Sequence, residues 1–240
     1  TRGGGTGTCG GGGGGGATSI GTVAIGGVLV AEGTSTHWLF LHQGNAGLIM
    51  ALILWSILRL LTPTEESSPR FRTSPRLLVH LTALAMVSVW MQLIGGALVA
   101  GSRHLISNDV PLGISEVTSL WNSHRSVAWN LLDNAWLHLW LHRWWAGLLA
   151  GLCLVLYVTA FRQPTGIRQR LALQVSGTFL ALQIILGLAN AVLAAPPMIS
   201  LAHQALGMGL LLSLVLAWHD ARYEPIAETV VTAGSTQVPT

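Results

Sequence analysis

The sequence predicts an all-α membrane protein, a polytopic bundle of six transmembrane helices. Hydrophobic residues make up 51% of the 240 residues and charged residues only 9%, and the mean hydropathy is +0.58. The apolar residues are gathered in segments that reach the roughly 20 residues needed to cross a bilayer. Soluble domains rarely combine so much apolar sequence with so little charge, so this fold class follows from composition and segment length together.

Six segments meet the length requirement, and we predict helices at 13–31, 38–61, 77–100, 137–161, 171–194 and 199–219. Glycine supplies much of the N-terminal end of the first helix. Residues 1–16 form a glycine-rich low-complexity segment that is not expected to pack, and we expect that N-terminal sequence is missing ahead of it. Residues 223–240 are polar and are expected to be a flexible cytoplasmic tail.

The arginines predict the orientation of these helices. The chain has no lysine, so arginine supplies all 12 basic residues. Most of them flank the connections after the second, fourth and sixth helices: Arg59, Arg70, Arg72, Arg76, Arg162, Arg168, Arg170 and Arg222. The positive-inside rule therefore places these connections and both termini in the cytoplasm. The basic pI of about 9.5 reflects this topology, and no nucleic-acid partner is predicted.

A three-residue pattern occurs twice at identical spacing: Gly26, His42 and Gln43, then Gly187, His203 and Gln204. In each copy an apolar segment with the glycine is followed by a short outer turn, and the His-Gln pair opens the next apolar segment. Ionisable residues near the start of a membrane helix are usually functional. The repeat therefore predicts an internal duplication built around two histidine-bearing helices.

Two histidines at matched depth predict a haem site. His142 and His203 lie about 6–8 Å below the outer ends of two predicted helices that run in the same direction. A six-coordinate haem iron requires two such inward-facing imidazoles. Small residues beside a flat macrocycle would complete the site: Ala146, Gly147, Gly151, Gly207 and Gly209. The alternative is that both histidines are interfacial residues bonded to backbone or water.

His138 and Arg143 flank the first of these histidines. His138 lies one turn before His142 and is either an alternative ligand, an outer hydrogen-bond partner or, as we expect, a solvated residue. Arg143 lies where a haem propionate would reach it, as do Arg103 and Arg125. An arginine at this depth equally often extends to lipid headgroups.

His42 has the depth of His203 but no partner placed as His142 is. The sequence alone leaves it equally a ligand or a satisfied interfacial residue. The connection at 117–136 has apolar residues at helical spacing, which predicts a helix lying on the membrane, either as a lid over the outer pocket or as a plain interfacial helix. The outer acids available for proton transfer are Glu32, Asp109, Glu116 and Asp133.

Several longer motifs are more specific: QLIGGALVAG at 92–101, NDVPL at 108–112, HLWLHRWWA at 138–146, QIILGLANAVLAAPP at 183–197 and LAHQALGMGLLL at 201–212. They include two Gln-x-x-x-Gly helices, Gln92/Gly96 and Gln183/Gly187, and a His-Arg pair. On these motifs the sequence resembles the haem A synthase family over most of its length.

The resemblance implies eight helices arranged as two four-helix halves related by pseudo-twofold symmetry. Residues 17–76 would then be a remnant of the N-terminal half, with two helices and a cytoplasmic loop, and 77–222 the complete C-terminal haem-binding bundle. The C-terminal half would hold haem b, with His142 and His203 as ligands of the haem iron and Arg143 as a further cofactor-binding residue. His42 would line the pocket of the substrate, haem O.

The activity implied by the resemblance is oxidation of a methyl group of haem O to a formyl group, giving haem A for cytochrome oxidase. This predicts an oxidoreductase in the plasma (inner) membrane of a prokaryote, surrounded by lipid, with haem O synthase as a candidate partner; self-association into a homo-oligomer is left open. The family's first two helices, which carry another histidine and an outer-loop glutamate, have no counterpart here, so catalytic residues are unassigned. The alternative function is a non-catalytic membrane cytochrome of b type.

Overall fold

The computed structural model describes residues 36–62, 74–102 and 117–223, and within these ranges every regular element is a helix. The helices are α1 (Thr36–Leu61), α2 (Arg76–Ser102), α3 (Val117–Leu120), α4 (Val127–Leu132), α5 (Ala135–Arg162), α6 (Ile167–Val192) and α7 (Pro197–Tyr223). The five long helices can each cross a membrane by length and composition. They confirm the predicted polytopic helical bundle and match the five predicted segments from 38 onward. The predicted helix at 13–31, residues 1–16 and residues 224–240 lie outside the described residues.

Prolines and an asparagine mark several helix boundaries. Pro75 precedes the first residue of α2 and Pro197 is the first residue of α7, where a missing N–H has no helical partner to lose. Pro164 follows the end of α5, as expected of a residue that disfavours helix in its predecessor. At the start of α5, the side chain of Asn134 accepts a hydrogen bond from the backbone N–H of Leu137 at 3.2 Å, which is an N-cap.

Helices α1, α5 and α7 run in one direction and α2 and α6 in the other. The start of α1 meets the end of α2, because a Cβ on Gly101 would lie 2.7 Å from the Cα of Thr36. Close by, Ser102 Oγ lies 3.5 Å from Nδ1 of His138 on α5. We call this end of the bundle the histidine end, because His42, His142 and His203 lie near it.

The opposite end, which we call the basic end, closes around the last turn of α7. Thr62 Oγ1 lies 3.1 Å from Nε2 of His219, and the buried carboxylate of Asp220 pairs with Arg168 at 3.5 Å. The other described arginines of the predicted cytoplasmic side belong to helix ends here: Arg59, Arg76, Arg162, Arg170 and Arg222. The described arginines that flank the predicted cytoplasmic connections therefore lie at one end of the fold.

Helix α2 is central to the packing. It packs against α1, α5 and α7, while α6 packs mainly on α7 and meets α5 at few positions. The buried core lies among these helices and includes Leu78, Ala85, Val89, Cys153, Leu156, Leu211 and Leu214. One side of the bundle, between α5 and α6, is consequently only loosely closed.

Large apolar side chains cover the outside of the long helices. Leu148 is 68% exposed, Leu154 63%, Leu188 64% and Val192 81%. Leaving such side chains in water would forgo roughly 1.5–3 kcal/mol each, whereas lipid tails solvate them without this cost. The exposed surface therefore has the character of a membrane protein, in agreement with the composition.

The connection before α5 differs from the single amphipathic helix predicted for 117–136. It forms the short helices α3 and α4, separated by a turn. The reason is a buried asparagine, Asn130, which accepts from the N–H of Asn122 at 2.8 Å and donates to the carbonyl oxygens of Asn122 and Ser126. These bonds satisfy the turn backbone internally, so the segment folds around a polar centre.

Candidate haem site

Three histidines occupy equivalent positions in the three parallel helices. His42, His142 and His203 each lie about 9–10.5 Å along their helix from its first residue, at 1.5 Å per residue. The structure therefore bears out the matched depth of His142 and His203 on parallel helices, and adds His42 at the same level.

Each of these imidazoles has a nitrogen without a partner. The Nδ1 atoms of His42, His142 and His203 are buried and make no hydrogen bond in the described structure. A buried polar atom left unpaired costs about 1–3 kcal/mol, and such atoms usually have a specific explanation. Three unpaired ring nitrogens at one depth make these histidines candidates for binding a ligand.

The ring of His142 lies on a glycine surface of α2. A Cβ on Gly96 would lie 3.2 Å from the ring carbon Cε1, and one on Gly95 would lie 3.5 Å from Nδ1. One turn before Gly96, the side-chain amide of Gln92 donates to the carbonyl oxygen of His142 at 3.0 Å and lies 3.4 Å from the ring Nε2. A larger residue at position 96 would push against this ring.

The same arrangement recurs around His203. A Cβ on Gly187 of α6 would lie 3.4 Å from Cε1 of His203. One turn before Gly187, the amide of Gln183 donates to the carbonyl oxygen of His203. Each histidine thus rests on a Gln-x-x-x-Gly helix, and the α2–α5 and α6–α7 pairs are built alike.

The glycines predicted to flank a macrocycle differ in how closely the protein packs on them. Gly147 and Gly151 lie on the outer face of α5, where a Cβ added to either would meet no other described part of the protein within 4 Å. A Cβ on Gly207 would lie 2.9 Å from Leu93, and one on Gly209 would lie 2.9 Å from Phe179. The placing of these glycines and Ala146 beside a macrocycle stays a prediction.

The few histidine donors at this site suit a metal that is already held by a macrocycle. Among the residues that the structure describes, no three His, Cys, Asp or Glu side chains gather to hold a metal ion. Two histidines on separate helices would supply the nitrogen donors that a porphyrin iron needs from a protein. The unpaired ring nitrogens and the loosely closed side between α5 and α6 are compatible with such a flat group.

Comparison with known proteins identifies the family. A family model described as "cytochrome oxidase assembly protein" (COX15-CtaA) matches residues 16–215. The chain belongs to this family. Among similar curated relatives are the Heme A synthases of Ruegeria pomeroyi, 29% identical over 220 residues, and of Paracoccus denitrificans, 29% identical over 211 residues. No solved structure matches the chain at a significant level.

The matches confirm the resemblance to the haem A synthase family. They cover 86% and 83% of this chain but 57% and 55% of the two relatives. The chain therefore spans somewhat more than half the length of the curated relatives it matches. The three longest motifs that carry the resemblance lie in α2, α6 and α7 or their adjoining turns, and the His-Arg motif lies in α5, so the motifs fall on the helices that hold the site.

His138 lies one turn before His142 and was predicted to be solvated, but it is buried. It is 3% exposed, and its Nε2 lies 2.9 Å from the carbonyl oxygen of Leu131. Its other nitrogen faces Ser102. The prediction failed because the α3–α4 segment folds over the start of α5, and His138 holds that segment in place.

The charged residues predicted near the site are only partly described. Arg143 is half-buried on α5, while Arg125 is exposed and lies with its guanidinium carbon 5.3 Å from the ring centre of Trp129. Asp133 pairs with His37 on α1 at 3.1 Å. The remaining candidates, Arg103, Glu32, Asp109 and Glu116, lie outside the described residues.

Sequence reasoning assigned no role to Gln92, Gln183 or Gln43. The Gln-x-x-x-Gly spacing is present in the sequence, but the contacts of each glutamine depend on which helix packs against it. Gln43 is buried and bonded to Gln204, and the 161-residue repeat already paired these two positions. A search for glutamines one turn before a glycine would have found all three, because Gly47 follows Gln43 at the same spacing.

Proposed function

We propose that this protein binds haem b and that His142 and His203 are the two histidine ligands of the iron. The observation that carries the proposal is the pair of imidazoles at one depth, each with a buried, unpartnered Nδ1. A haem held there would supply one-electron transfer. The glutamine amides and glycines that contact the two histidines would orient the two rings.

We further propose that the protein is a haem A synthase-like oxidoreductase, which converts haem O to haem A for cytochrome oxidase biogenesis. Two relatives with this name support the reaction class, and the family is one of cytochrome oxidase assembly proteins. In this proposal His42 faces the substrate haem, since it has the depth of His203 and its own unpaired ring nitrogen. Haem O synthase is then the natural supplier of substrate.

The proposed division of labour follows the helices. Residues 77–222, which contain nearly all of α2 to α7, form the haem b unit. Both proposed ligands lie in this range, and so do Gly96 and Gly187, the glycines against which their rings rest. Residues 17–76, which include α1, belong to the substrate half in this proposal. Arg143 is proposed to bind a propionate, since it adjoins His142 and a guanidinium suits a carboxylate.

The proposed orientation has the basic end in the cytoplasm and the histidine end facing outward. The arginines at the ends of α1, α5 and α7 support this by the positive-inside rule. Because the two named relatives are bacterial, we place the protein in the plasma membrane of a prokaryote.

The function is tested by pigment analysis in a host that makes haem O but no haem A. Membranes containing the protein should yield haem A, and those with His42→Ala, His142→Ala or His203→Ala should yield haem O alone. His80→Ala is the matched control, since His80 is exposed near the basic end, and should behave as wild type. Bound haem b without any haem A in the wild type would overturn the enzyme proposal in favour of a b-type cytochrome.

A further inference from the structure

Two glutamines repeat the same contact with the two proposed ligands. Gln92 on α2 and Gln183 on α6 each donate a side-chain N–H to the backbone carbonyl oxygen of the histidine opposite. Each precedes by one helical turn the glycine against which that imidazole rests. Residues one turn apart share a helix face. Each glutamine and the glycine that follows it, which we call the seat of the imidazole, therefore face the histidine-bearing helix together.

The acceptor in this contact is unusual. A helical carbonyl oxygen already accepts the backbone bond of the residue one turn later, so each glutamine occupies a second lone pair. The bond therefore adds nothing to the internal stability of the helix, but it fixes where α5 lies against α2 and where α7 lies against α6. Because the carbonyl oxygen belongs to the histidine itself, the hydrogen bond fixes the backbone position from which the proposed ligand's side chain extends.

The contact of Gln183 with the His203 carbonyl oxygen depends on a glycine at position 207. The Nε2 of Gln183 would lie only 3.4 Å from a Cβ at Gly207, the residue one turn after His203. A side chain at 207 would therefore crowd the amide away from the carbonyl oxygen. In the other copy the amide of Gln92 reaches the ring as well, 3.4 Å from Nε2 of His142.

We propose that Gln92 and Gln183 are positioning residues that set the orientation of the two axial imidazoles. The inference rests on the proposed haem b site, and it gives a role to the Gln-x-x-x-Gly motif. Outer groups that orient ligands commonly matter as much to a metal site as the ligands' own packing. The alternative is that these amides only join helices in the membrane, as polar side chains often do.

The test compares Gln92→Leu and Gln183→Leu with Gln174→Leu, an exposed glutamine on the same helix as Gln183. Haem content and the electron paramagnetic resonance of the ferric protein are measured, together with thermal unfolding. We expect both leucine variants to keep a low-spin signal with shifted g values and to retain haem about tenfold less tightly. Gln174→Leu should match the wild type in every measurement.

Unchanged g values and haem retention in both variants would overturn the inference, as would a loss of thermal stability with an unchanged signal. If the leucine variants do not accumulate, Gln92→Asn and Gln183→Asn replace them. Asparagine keeps an amide but is one methylene too short to reach the carbonyl oxygen, so the same spectral shift is expected, and an unchanged signal counts against the proposal.

The inference and the proposed function fail in different ways. A wild-type protein without a low-spin haem signal would overturn the proposed haem site and this inference with it. A wild-type signal that His142→Ala and His203→Ala abolish, but that neither glutamine substitution alters, would overturn the inference alone.

Discussion

Gln204 Nε2 donates a hydrogen bond to Gln43 Oε1 at 2.7 Å, across 161 positions of sequence. The same interval separates the starts of α1 and α7, at Thr36 and Pro197. A contact between equivalent residues of two copies is expected close to a twofold axis. The bond thus joins the two repeats one residue beyond the histidines that we place in the two haem pockets.

The Gln43–Gln204 bond should be visible as an energetic coupling. Gln43→Met and Gln204→Met keep side-chain length but lose the bond, and each should lower the free energy of unfolding by about 1 kcal/mol. In the double variant the losses should not add, leaving a coupling of at least about 0.5 kcal/mol. The measurement is denaturant unfolding in detergent. Gln174→Met combined with Gln204→Met is the additive control, and additivity in the test pair would refute the coupling.

The glycines under the histidine rings should be more sensitive than those beside them in sequence. Gly96→Val should displace the His142 ring, because even its Cβ would lie 3.2 Å from Cε1, and should reduce bound haem severalfold. Gly147→Val, which projects into open space on the same ligand's helix, should leave haem content unchanged. Haem per protein after purification decides between the two, and equal loss in both variants would contradict the assigned seat.

The turn between α6 and α7 holds two alanines in the left-handed region, Ala194 with φ 53° and Ala195 with φ 49°. This conformation costs an alanine about 1–2 kcal/mol that glycine does not incur. Ala195→Gly should therefore raise the free energy of unfolding, by about 0.5–1 kcal/mol after the entropy of glycine is subtracted. Ala181→Gly, in the middle of α6, should instead lower it by about 1 kcal/mol. The same sign in both variants would be inconsistent with this turn geometry.

The polar centre of the α3–α4 segment should control its local stability. Asn130→Ala removes bonds to the backbone of Asn122 and Ser126, so hydrogen exchange should accelerate across 120–134 while the long helices keep their protection. His124→Ala, at an exposed position in the same segment, is the control and should leave exchange unchanged. Unaltered exchange in Asn130→Ala would show that the segment is held by other contacts.

The sequence was sufficient to locate the five long helices that the structure describes. Helix positions follow from apolar length, which the membrane requires whatever the tertiary packing. The depth of His142 and His203 follows from helix starts, and the repeat correctly anticipated that α1 and α7 begin at equivalent positions. Whether α1 serves a substrate pocket stays a prediction.

Which glycines touch the rings could not be predicted. Gly147 follows His142 closely in sequence but lies on another face of α5, while Gly96 contacts the ring from a different helix. Which glycine contacts a ring depends on how each helix is rotated and which helix it packs against. A long helix that is apolar on every face gives little sign in its sequence of which face points inward. The same reason hid the buried His138, since the fold of the α3–α4 segment over α5 depends on Asn130.

The most direct test of the account is the optical spectrum of the purified protein and its histidine variants. The wild type should show a low-spin haem of b type, and His142→Ala and His203→Ala should each abolish it, whereas His80→Ala should not. A b-type spectrum that survives in both ligand variants would contradict the central claim that these two imidazoles hold the haem iron.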